Sequence, residues 1–281
     1  MHLRTSFAVG LAAAAALAVL TGSPAHATEP TPATATSSAP TVPPAADATT
    51  PTGPTCWFGA CYDYVYGRQT TDTAGAAVRM EISDPEVNPT QIGEHSLQEL
   101  ALQDTNRVST VEVGWTVDPQ LNGDSKPHLF VYHWVDGQTS CYNGCGFVPV
   151  STKFTAGMAL RPGHAADFAI RNIGGDWWIS YDHHDVGYFP GSLWKGTYSR
   201  AQVVTAFGEV AANTADVPSC TDMGNGRPGA SPRASWISDY RLYKAADKPR
   251  FTVSASSPQL YTYGKAKATS FRLGGSGSGR C

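Results

Sequence analysis

Short runs of alternating apolar and polar residues, rich in Val, Thr, Tyr, Phe and Trp, recur along this chain between clusters of Gly, Pro, Asn and Asp. Such runs are typical of β-strands, because successive side chains of a strand point to opposite faces and turn residues mark its ends. Apolar residues at helical spacing are scarce. The pattern predicts an all-β fold, an antiparallel β-sandwich of two packed and highly curved sheets. Predicted strands cover residues 78–82, 108–117, 128–134, 168–173, 177–181, 203–211, 236–243, 251–254 and 260–263. Residues 95–102 and 200–204 are predicted as short helices.

The N-terminal part differs in composition from the rest of the chain. A basic residue, an apolar run and an Ala-His-Ala cleavage pattern predict a secretory signal peptide over residues 1–27. The apolar run is shorter than the ~20 residues that a membrane-spanning helix needs, so we expect an extracellular protein and no membrane partner. Residues 28–55 consist mostly of Thr, Pro, Ala and Ser without an aromatic residue, which predicts a disordered linker or pro-region. Residues 56–281 are left for the folded domain.

Six cysteines follow the predicted signal peptide. An even number in an exported chain favours disulfides over a zinc site, although sequence alone permits many pairings. The spacing favours Cys56–Cys61, Cys141–Cys145 and Cys220–Cys281. Without Arg4 of the signal peptide the chain carries 19 basic and 23 acidic residues, a net charge of −4. This balance does not favour a nucleic-acid partner, and we expect a monomer.

Two glutamates interrupt apolar, strand-forming sequence. Glu112 lies in Val-Glu-Val-Gly-Trp-Thr-Val at residues 111–117, and Glu209 lies in Phe-Gly-Glu-Val at residues 207–210. A charged group there needs a reason, because the burial of an unpaired carboxylate is costly. Period-two alternation places Glu112 opposite the apolar face of its strand. If the two strands are neighbours, both glutamates overlook the same concave side of a sheet.

Two adjacent carboxyl groups cannot both ionise easily, so one pKa rises and the pair offers an acid and a base at one pH. With a water between them, such a pair hydrolyses amides at acid pH. The same pair on either side of a sugar linkage makes a glycosidase. A glutamate on the open face of a strand is also often simply solvated or paired across strands. The residues alone leave these alternatives open.

Several motifs follow one another in order along the chain. They are Val-Glu-Val-Gly-Trp-Thr-Val with Pro119 and Gly123-Asp124, Cys-Tyr-Asn and Gly-Phe-Val at residues 141–148, Trp177-Trp178 with Gly-Tyr-Phe-Pro at residues 187–190, Phe-Gly-Glu-Val, and Met-Gly-Asn-Gly at residues 223–226. In this order they resemble the neprosin family, from residue 78 to the C-terminus. The resemblance implies that residues 56–281 form the catalytic β-sandwich of a secreted glutamic endopeptidase. It implies cleavage of proline-containing peptides after proline at acid pH, with Glu112 and Glu209 as the catalytic pair and no metal or cofactor.

Aromatic residues near these motifs have two interpretations. They pack the core, or they form a stacking groove that holds proline rings in a peptidase or sugar faces in a lectin. We name as candidate substrate-binding residues Trp115, Tyr132, Trp134, Trp178 and Tyr188. The alternative to the peptidase is a secreted, non-catalytic carbohydrate-binding β-sandwich.

The most metal-like tract is Asp-His-His-Asp at residues 182–185. Adjacent residues of a strand point to opposite faces, so one such tract rarely supplies a whole coordination shell. We therefore interpret it as a loop and expect no metal site. No Gly-x-Ser-x-Gly motif suggests a serine hydrolase.

Overall fold

A computed structural model describes residues 53–57 and 59–281 of the chain. The predicted signal peptide and residues 28–52 of the predicted linker lie outside the described residues. Thr55, at the end of that predicted linker, already belongs to the first strand. Within the described residues, no helix has the length and apolar character needed to cross a membrane.

The described residues form two antiparallel sheets, which confirms the predicted all-β fold. The first sheet contains β1 (Thr55–Trp57), β2 (Ala60–Thr73), β4 (His95–Gln103), β5 (Thr110–Val117), β6 (His128–Val135), β7 (Gln138–Thr139), β12 (Ala201–Asn213) and β14 (Thr252–Ala255). The second contains β3 (Gly75–Glu81), β8 (Val148–Pro149), β9 (Ala165–Ile173), β10 (Asp176–Tyr181), β11 (His184–Phe189), β13 (Ser235–Leu242), β15 (Thr262–Tyr263) and β16 (Phe271–Gly274). A short helix α1 (Pro119–Asn122) follows β5, and a 3₁₀ turn (Gly191–Trp194) follows β11.

The strand order of the first sheet is β1-β2-β12-β4-β5-β6-β7, and β14 pairs with β2. The second sheet has the order β15-β16-β13-β3-β9-β10-β11-β8. The two sheets pack face to face, because Val113 and Trp115 of β5 share one buried apolar cluster with Phe168 of β9 and Trp177 of β10. A second cluster, rich in aromatic residues, covers the opposite face of the first sheet.

Both predicted helices are wrong. Residues 95–102 lie in β4, which pairs with β12 on one side and with β5 on the other. Residues 201–204 begin β12. Leu, Gln, Glu and Ala of β4 favour helices in isolation, but pairing on both edges and burial on both faces override that propensity. The longest strand, β2 with 14 residues, was also missed.

Three disulfides join the predicted pairs of cysteines: Cys56–Cys61, Cys141–Cys145 and Cys220–Cys281. The first two close local loops. The third joins residues separated by 61 positions and fixes the C-terminus to the segment that follows β12.

Removal of Cys220–Cys281 by two Cys→Ser substitutions is expected to lower the free energy of unfolding by about 4 kcal/mol, because the bond closes a long loop in the unfolded chain. The matched removal of Cys141–Cys145, separated by only 4 positions, is expected to cost about 2 kcal/mol. In a domain of this size the melting temperature falls by about 2–4 °C per kcal/mol. Calorimetry of the two variants measures both effects. Equal losses, or no loss for the long loop, would contradict the expected dependence on loop length.

Candidate active site

Glu112 and Glu209 lie on the same face of the first sheet, the face that points away from the second sheet. Their strands are not neighbours, because β4 lies between β5 and β12. Glu209 pairs with Leu97 of β4, and Glu112 pairs with Ala101 of the same strand. Residues paired across strands share a face, and Leu97 and Ala101 are an even number of positions apart. Both glutamates are fully buried.

β4 brings a third glutamate to this face. Glu99 pairs with Phe207 of β12 on one side and with Gly114 of β5 on the other. It is therefore a diagonal neighbour of both Glu112 and Glu209, and such neighbours are typically about 7–8 Å apart. Glu99 is not among the predicted site residues, because residues 95–102 were predicted as a helix. Burial on both faces of β4 removes the alternation that would have singled it out.

Gly114 explains why the Glu-Val-Gly-Trp motif needs a glycine. A Cβ atom at this position would lie 2.8 Å from Cβ of Glu99 and 2.1 Å from the backbone oxygen of Gln98. Contacts this short with backbone atoms cannot be relieved by a side-chain rotation. The glycine therefore allows β5 and β4 to approach closely at the position of Glu99.

Each of the two predicted catalytic glutamates has its own polar neighbour. Trp134 donates its indole N–H to Oε1 of Glu112 at 3.0 Å. Nε2 of His95 lies 3.2 Å from Oε1 of Glu209. Nδ1 of the same imidazole lies 3.8 Å from Oδ2 of Asp118. Glu209, His95 and Asp118 therefore form a buried row of alternating acidic and basic groups. Asp118 also caps the N-terminus of α1.

Burial raises the pKa of Glu112 well above its ordinary value, and the charge of Glu209 raises it further, although the hydrogen bond from Trp134 opposes both effects. Burial also raises the pKa of Glu99 well above its ordinary value, with the charges of Glu112 and Glu209 adding to it. Carboxyl groups with pKa values raised in this way retain their protons at mildly acidic pH.

Burial lowers the pKa of His95, but the hydrogen bond with Glu209 and the charges of Asp118 and Glu209 outweigh burial and raise it above its ordinary value. His95 is therefore protonated at mildly acidic pH. An imidazolium at this position stabilises negative charge on Glu209.

Aromatic side chains surround the glutamates on this face. Tyr132 pairs directly with Glu112 across β5 and β6, and its ring lies 5.7 Å from that of Trp134. On the other side, Tyr64 of β2 pairs with Glu209 and meets Phe207 edge to face at 5.8 Å. We call this set the aromatic wall: Tyr62, Tyr64, Tyr66, Phe130, Tyr132, Trp134 and Phe207. Two of the predicted substrate-binding residues, Tyr132 and Trp134, are part of it.

The other three predicted substrate-binding residues do not lie on the face that carries the glutamates. Trp115 points into the core between the sheets, where its indole N–H donates to the backbone oxygen of Glu81 at 3.0 Å. Trp178 stacks on Tyr188 at 4.8 Å in the second sheet. The neighbour of Trp178 in sequence, Trp177, belongs to the core, so alternation directs Trp178 to the face of that sheet that points away from the glutamates.

The Asp-His-His-Asp tract is also on the second sheet. Ligand atoms of Asp167, Asp182 and His183 lie within 4.8 Å of one another. However, Asp167 is already paired with Arg79 at 2.9 Å and with Arg241. Two guanidinium groups on the most buried carboxylate of the cluster disfavour a cation, so the arrangement is an ion-pair network.

Comparison with known proteins gives one family and several structures. The chain is similar to scytalido-glutamic peptidase with a transition-state analog inhibitor, at 8% identity and a TM-score of 0.48 over 76% of this chain and 98% of that chain. It is similar to SCP-B, a member of the Eqolisin family of peptidases in a complex with the tripeptide Ala-Ile-His, at 7% identity and a TM-score of 0.41 with the same coverages. It is similar to CG-16, a homodimeric agglutinin from chicken liver, at 11% identity and a TM-score of 0.30 over 52% of this chain and 93% of that chain.

The Neprosin family model matches residues 93–276, which is well over half of the chain and includes all three glutamates. The chain belongs to the neprosin family.

Proposed function

We propose that this protein is a secreted glutamic endopeptidase that cleaves after proline at acid pH, with Glu112 and Glu209 as its catalytic pair. Membership of the neprosin family supports a glutamic peptidase. The observation that carries the proposal is the placement of two fully buried glutamates on one face of a sheet, beside an imidazole and an aromatic wall. Buried carboxyl groups with raised pKa values are costly to ionise, and such groups concentrate at functional sites.

The polar neighbours support different roles for the two glutamates. Glu209, whose negative charge is stabilised by protonated His95, is the general base that takes a proton from the attacking water. Glu112, whose pKa is raised by burial and by the charge of Glu209, is the neutral acid that donates to the carbonyl oxygen as negative charge develops there. When the tetrahedral intermediate collapses, Glu209 returns its proton to the leaving amine and Glu112 recovers its own.

With Glu209 as the base and Glu112 as the acid, activity depends on pH in a defined direction. The pair works with one proton, which Glu112 holds. Activity is lost at high pH when Glu112 ionises, and the raised pKa of Glu112 places that limb above the ordinary range of a glutamate. Activity is lost at low pH when Glu209 becomes protonated. The pair titrates as a unit, so both limbs report apparent values of the coupled groups.

The aromatic wall supports the preference for proline. Proline-rich segments adopt an extended polyproline conformation that docks into aromatic-lined grooves with little loss of conformational entropy. Tyr132 and Trp134 flank Glu112, and Tyr64 flanks Glu209, so aromatic rings border the catalytic pair on two sides. Secretion is supported by the predicted signal peptide together with three disulfides, which persist in oxidising compartments.

Mass-spectrometric mapping of the cuts made in an unstructured, proline-containing protein between about pH 3 and pH 8 tests the proposal. The double variant Glu112→Gln/Glu209→Gln, purified in parallel, controls for contaminating peptidases. We expect cuts after proline at acid pH that are absent in the double variant and insensitive to a chelator. If the wild type cuts no peptide at any pH, the endopeptidase is excluded, and binding to a glycan array would then support the carbohydrate-binding alternative.

A further inference from the structure

A cavity of about 530 Å³ lies at one edge of the glutamate face, the face of the first sheet that carries Glu112 and Glu209. It is formed where β14 pairs with β2, and the two-glutamate mechanism does not use it. Its lining includes Tyr66 and Arg68 of β2 and residues 247–250, which precede β14. Alternation along β2 places Arg68 on the same face as Tyr66, which belongs to the aromatic wall. The cavity therefore adjoins the aromatic wall.

The side chains that line this cavity are mostly cationic. Arg68, Lys248 and Arg250 are positive and Asp247 is negative, so the lining carries a net charge of +2, although acidic residues outnumber basic ones in the whole chain. Asp247 accepts a hydrogen bond from Thr71 Oγ1 at 2.7 Å. Among the described residues, Lys248 and Arg250 form no ion pair with a carboxylate, whereas arginines elsewhere pair with aspartates. A concave site with this balance attracts an anionic ligand.

Hydrogen bonds hold the segment with Lys248 and Arg250 against β2. The side-chain amide of Gln69 donates to the backbone oxygen of Lys248 at 3.0 Å. The amide oxygen of the same side chain accepts from the backbone N–H of Arg250 at 2.8 Å. Both cations are therefore carried by a backbone segment whose position is fixed before a ligand binds.

Arg68 is anchored on the floor of the cavity. Its Nε donates to Thr205 Oγ1 at 3.4 Å, and its guanidinium carbon lies 5.2 Å from the centre of the Tyr66 ring. Burial lowers the pKa of Arg68, Tyr66 opposes this effect, and the charge of Arg107 adds to it. A guanidinium nevertheless stays charged in a protein. The cavity thus presents a fixed positive charge at any pH at which the enzyme works.

Register places Arg68 in one row with Glu112. Arg68 pairs with Thr205 of β12, Thr205 with Ala101 of β4, and Ala101 with Glu112 of β5. Three strand spacings separate the two ends of this row, which is about 14 Å. The two residues between them, Thr205 and Ala101, have small side chains. An extended peptide that lies across the strands covers this distance in about four residues.

We propose that this cavity is a cationic subsite that binds the carboxylate of an Asp or Glu side chain of the peptide substrate, about four residues from the scissile bond. The inference rests on the proposed peptidase function. Arg68 is the central group of the subsite, because a guanidinium binds a carboxylate through charge-assisted hydrogen bonds. Lys248 and Arg250 add positive charge at the rim. The subsite therefore selects among proline-containing peptides by an acidic residue at a fixed distance from the cut.

Matched peptides with a single proline test the subsite. Each pair carries Asp or Asn at one position, from the third to the fifth residue on either side of the scissile bond. At about pH 5.5, where the peptide carboxyl group is ionised, we expect Asp to raise kcat/KM about tenfold over Asn at one position, the usual effect of a hydrogen bond to a charged group. The ratio should fall to about one near pH 3, because the peptide carboxyl group is then neutral. Equal kcat/KM for Asp and Asn at every position would overturn the inference.

Variants of the cavity assign the preference to its cations. Arg68→Gln is expected to reduce the Asp/Asn ratio to about twofold or less. The double variant Lys248→Gln/Arg250→Gln lies on an exposed segment and should also reduce the ratio, so it decides if Arg68→Gln does not fold. Arg233→Gln, the matched change at an exposed arginine outside the cavity, should keep the full ratio. A preference for Asp that neither cavity variant reduces would overturn the inference.

Binding without cleavage separates the subsite from the proposed function. Fluorescence anisotropy measures the Kd of the same labelled peptides for the double variant Glu112→Gln/Glu209→Gln, in which the cations of the cavity are intact. We expect the Asp peptide to bind about tenfold more tightly than its Asn partner at about pH 5.5. Equal Kd values would overturn the subsite, even if the wild type cleaves both peptides. Tighter binding of the Asp peptide together with a wild type that cleaves no peptide would overturn the proposed function and leave the subsite standing.

Discussion

Replacement of Glu209 by glutamine is expected to lower kcat/KM for a proline-containing peptide by about 10²–10⁴-fold, the usual contribution of a positioned acid or base. The amide has nearly the same shape as the carboxylate but cannot accept a proton from water. Glu112→Gln is expected to fall in the same range. Its amide can still donate a hydrogen bond to the carbonyl oxygen, so its residual activity should exceed that of Glu209→Gln. Its profile should also lack the high-pH limb, because the group that loses a proton there is gone.

Steady-state kinetics across the pH range, on single-site peptides, measures both variants. Glu86→Gln, an identical change on an exposed residue, is the matched control and should behave as the wild type. Thermal melts at acid pH establish that the variants are folded. If either active-site variant retains activity within tenfold of the wild type while folded, that glutamate does not transfer a proton in the reaction.

Sequence reasoning succeeded where one face of a strand belongs to the core. In β5, Val111, Val113 and Trp115 alternate with polar and small residues, and the structure buries these three between the sheets. The same alternation directs Trp115 to the face of β5 opposite Glu112. The pattern therefore already argued against Trp115 as a residue that contacts a substrate beside Glu112. The disulfides were predictable because two pairs are local and the third follows from the remaining cysteines.

The parts that sequence reasoning missed depend on long-range pairing. β4 is buried on both faces and consists of good helix formers, so its residues carry no period-two pattern. Its position between β12 and β5, which creates the cluster around Glu99, comes from contacts between distant segments. β2 did carry a signal, because Tyr62, Tyr64 and Tyr66 alternate along it, and these side chains form one edge of the aromatic wall.

Stability is expected to rise as the pH falls from about 7.5 to about 5, the opposite of a protein held together by ionised carboxylates. Among the described residues, burial raises the pKa of carboxyl groups at several positions, with the clearest shifts at the fully buried Glu99 and Glu112. These groups include Asp63, Glu81, Glu94, Glu99, Glu112 and Asp222. A group with a raised pKa in the folded state binds a proton there that the unfolded chain has already released. Its stabilising effect is complete below the unfolded pKa and is lost as the pH rises through the folded pKa.

Two histidines modify this trend in opposite directions. The raised pKa of His95 adds stability that is lost as the pH rises above the ordinary histidine range. Burial lowers the pKa of His133 to about 4, so the folded protein lacks a proton there that the unfolded chain binds below about pH 6.5. His133 therefore opposes the trend between about pH 4 and pH 6.5. The carboxyl groups with lowered pKa, Asp72, Asp124 and Asp167, act only below the ordinary aspartate value.

These opposing groups determine how steeply the free energy of unfolding changes with pH. Between about pH 5 and pH 6.5, the raised pKa values of Glu99 and Glu112 outweigh the lowered pKa of His133, so the free energy of unfolding should fall as the pH rises, by about 1.4 kcal/mol per pH unit for each net proton. Above about pH 6.5 the opposition from His133 ends, because the unfolded histidine also loses its proton, and His95 begins to act in the same direction as the glutamates, so the slope should become steeper. Denaturant unfolding at a series of pH values measures both segments. The matched variant Glu112→Gln removes one titrating group and should flatten each segment by about one proton. A free energy of unfolding that is constant or rises from pH 5 to pH 7.5 would mean that the glutamate face is ionised in the folded state, and a site that works with one proton would then be untenable.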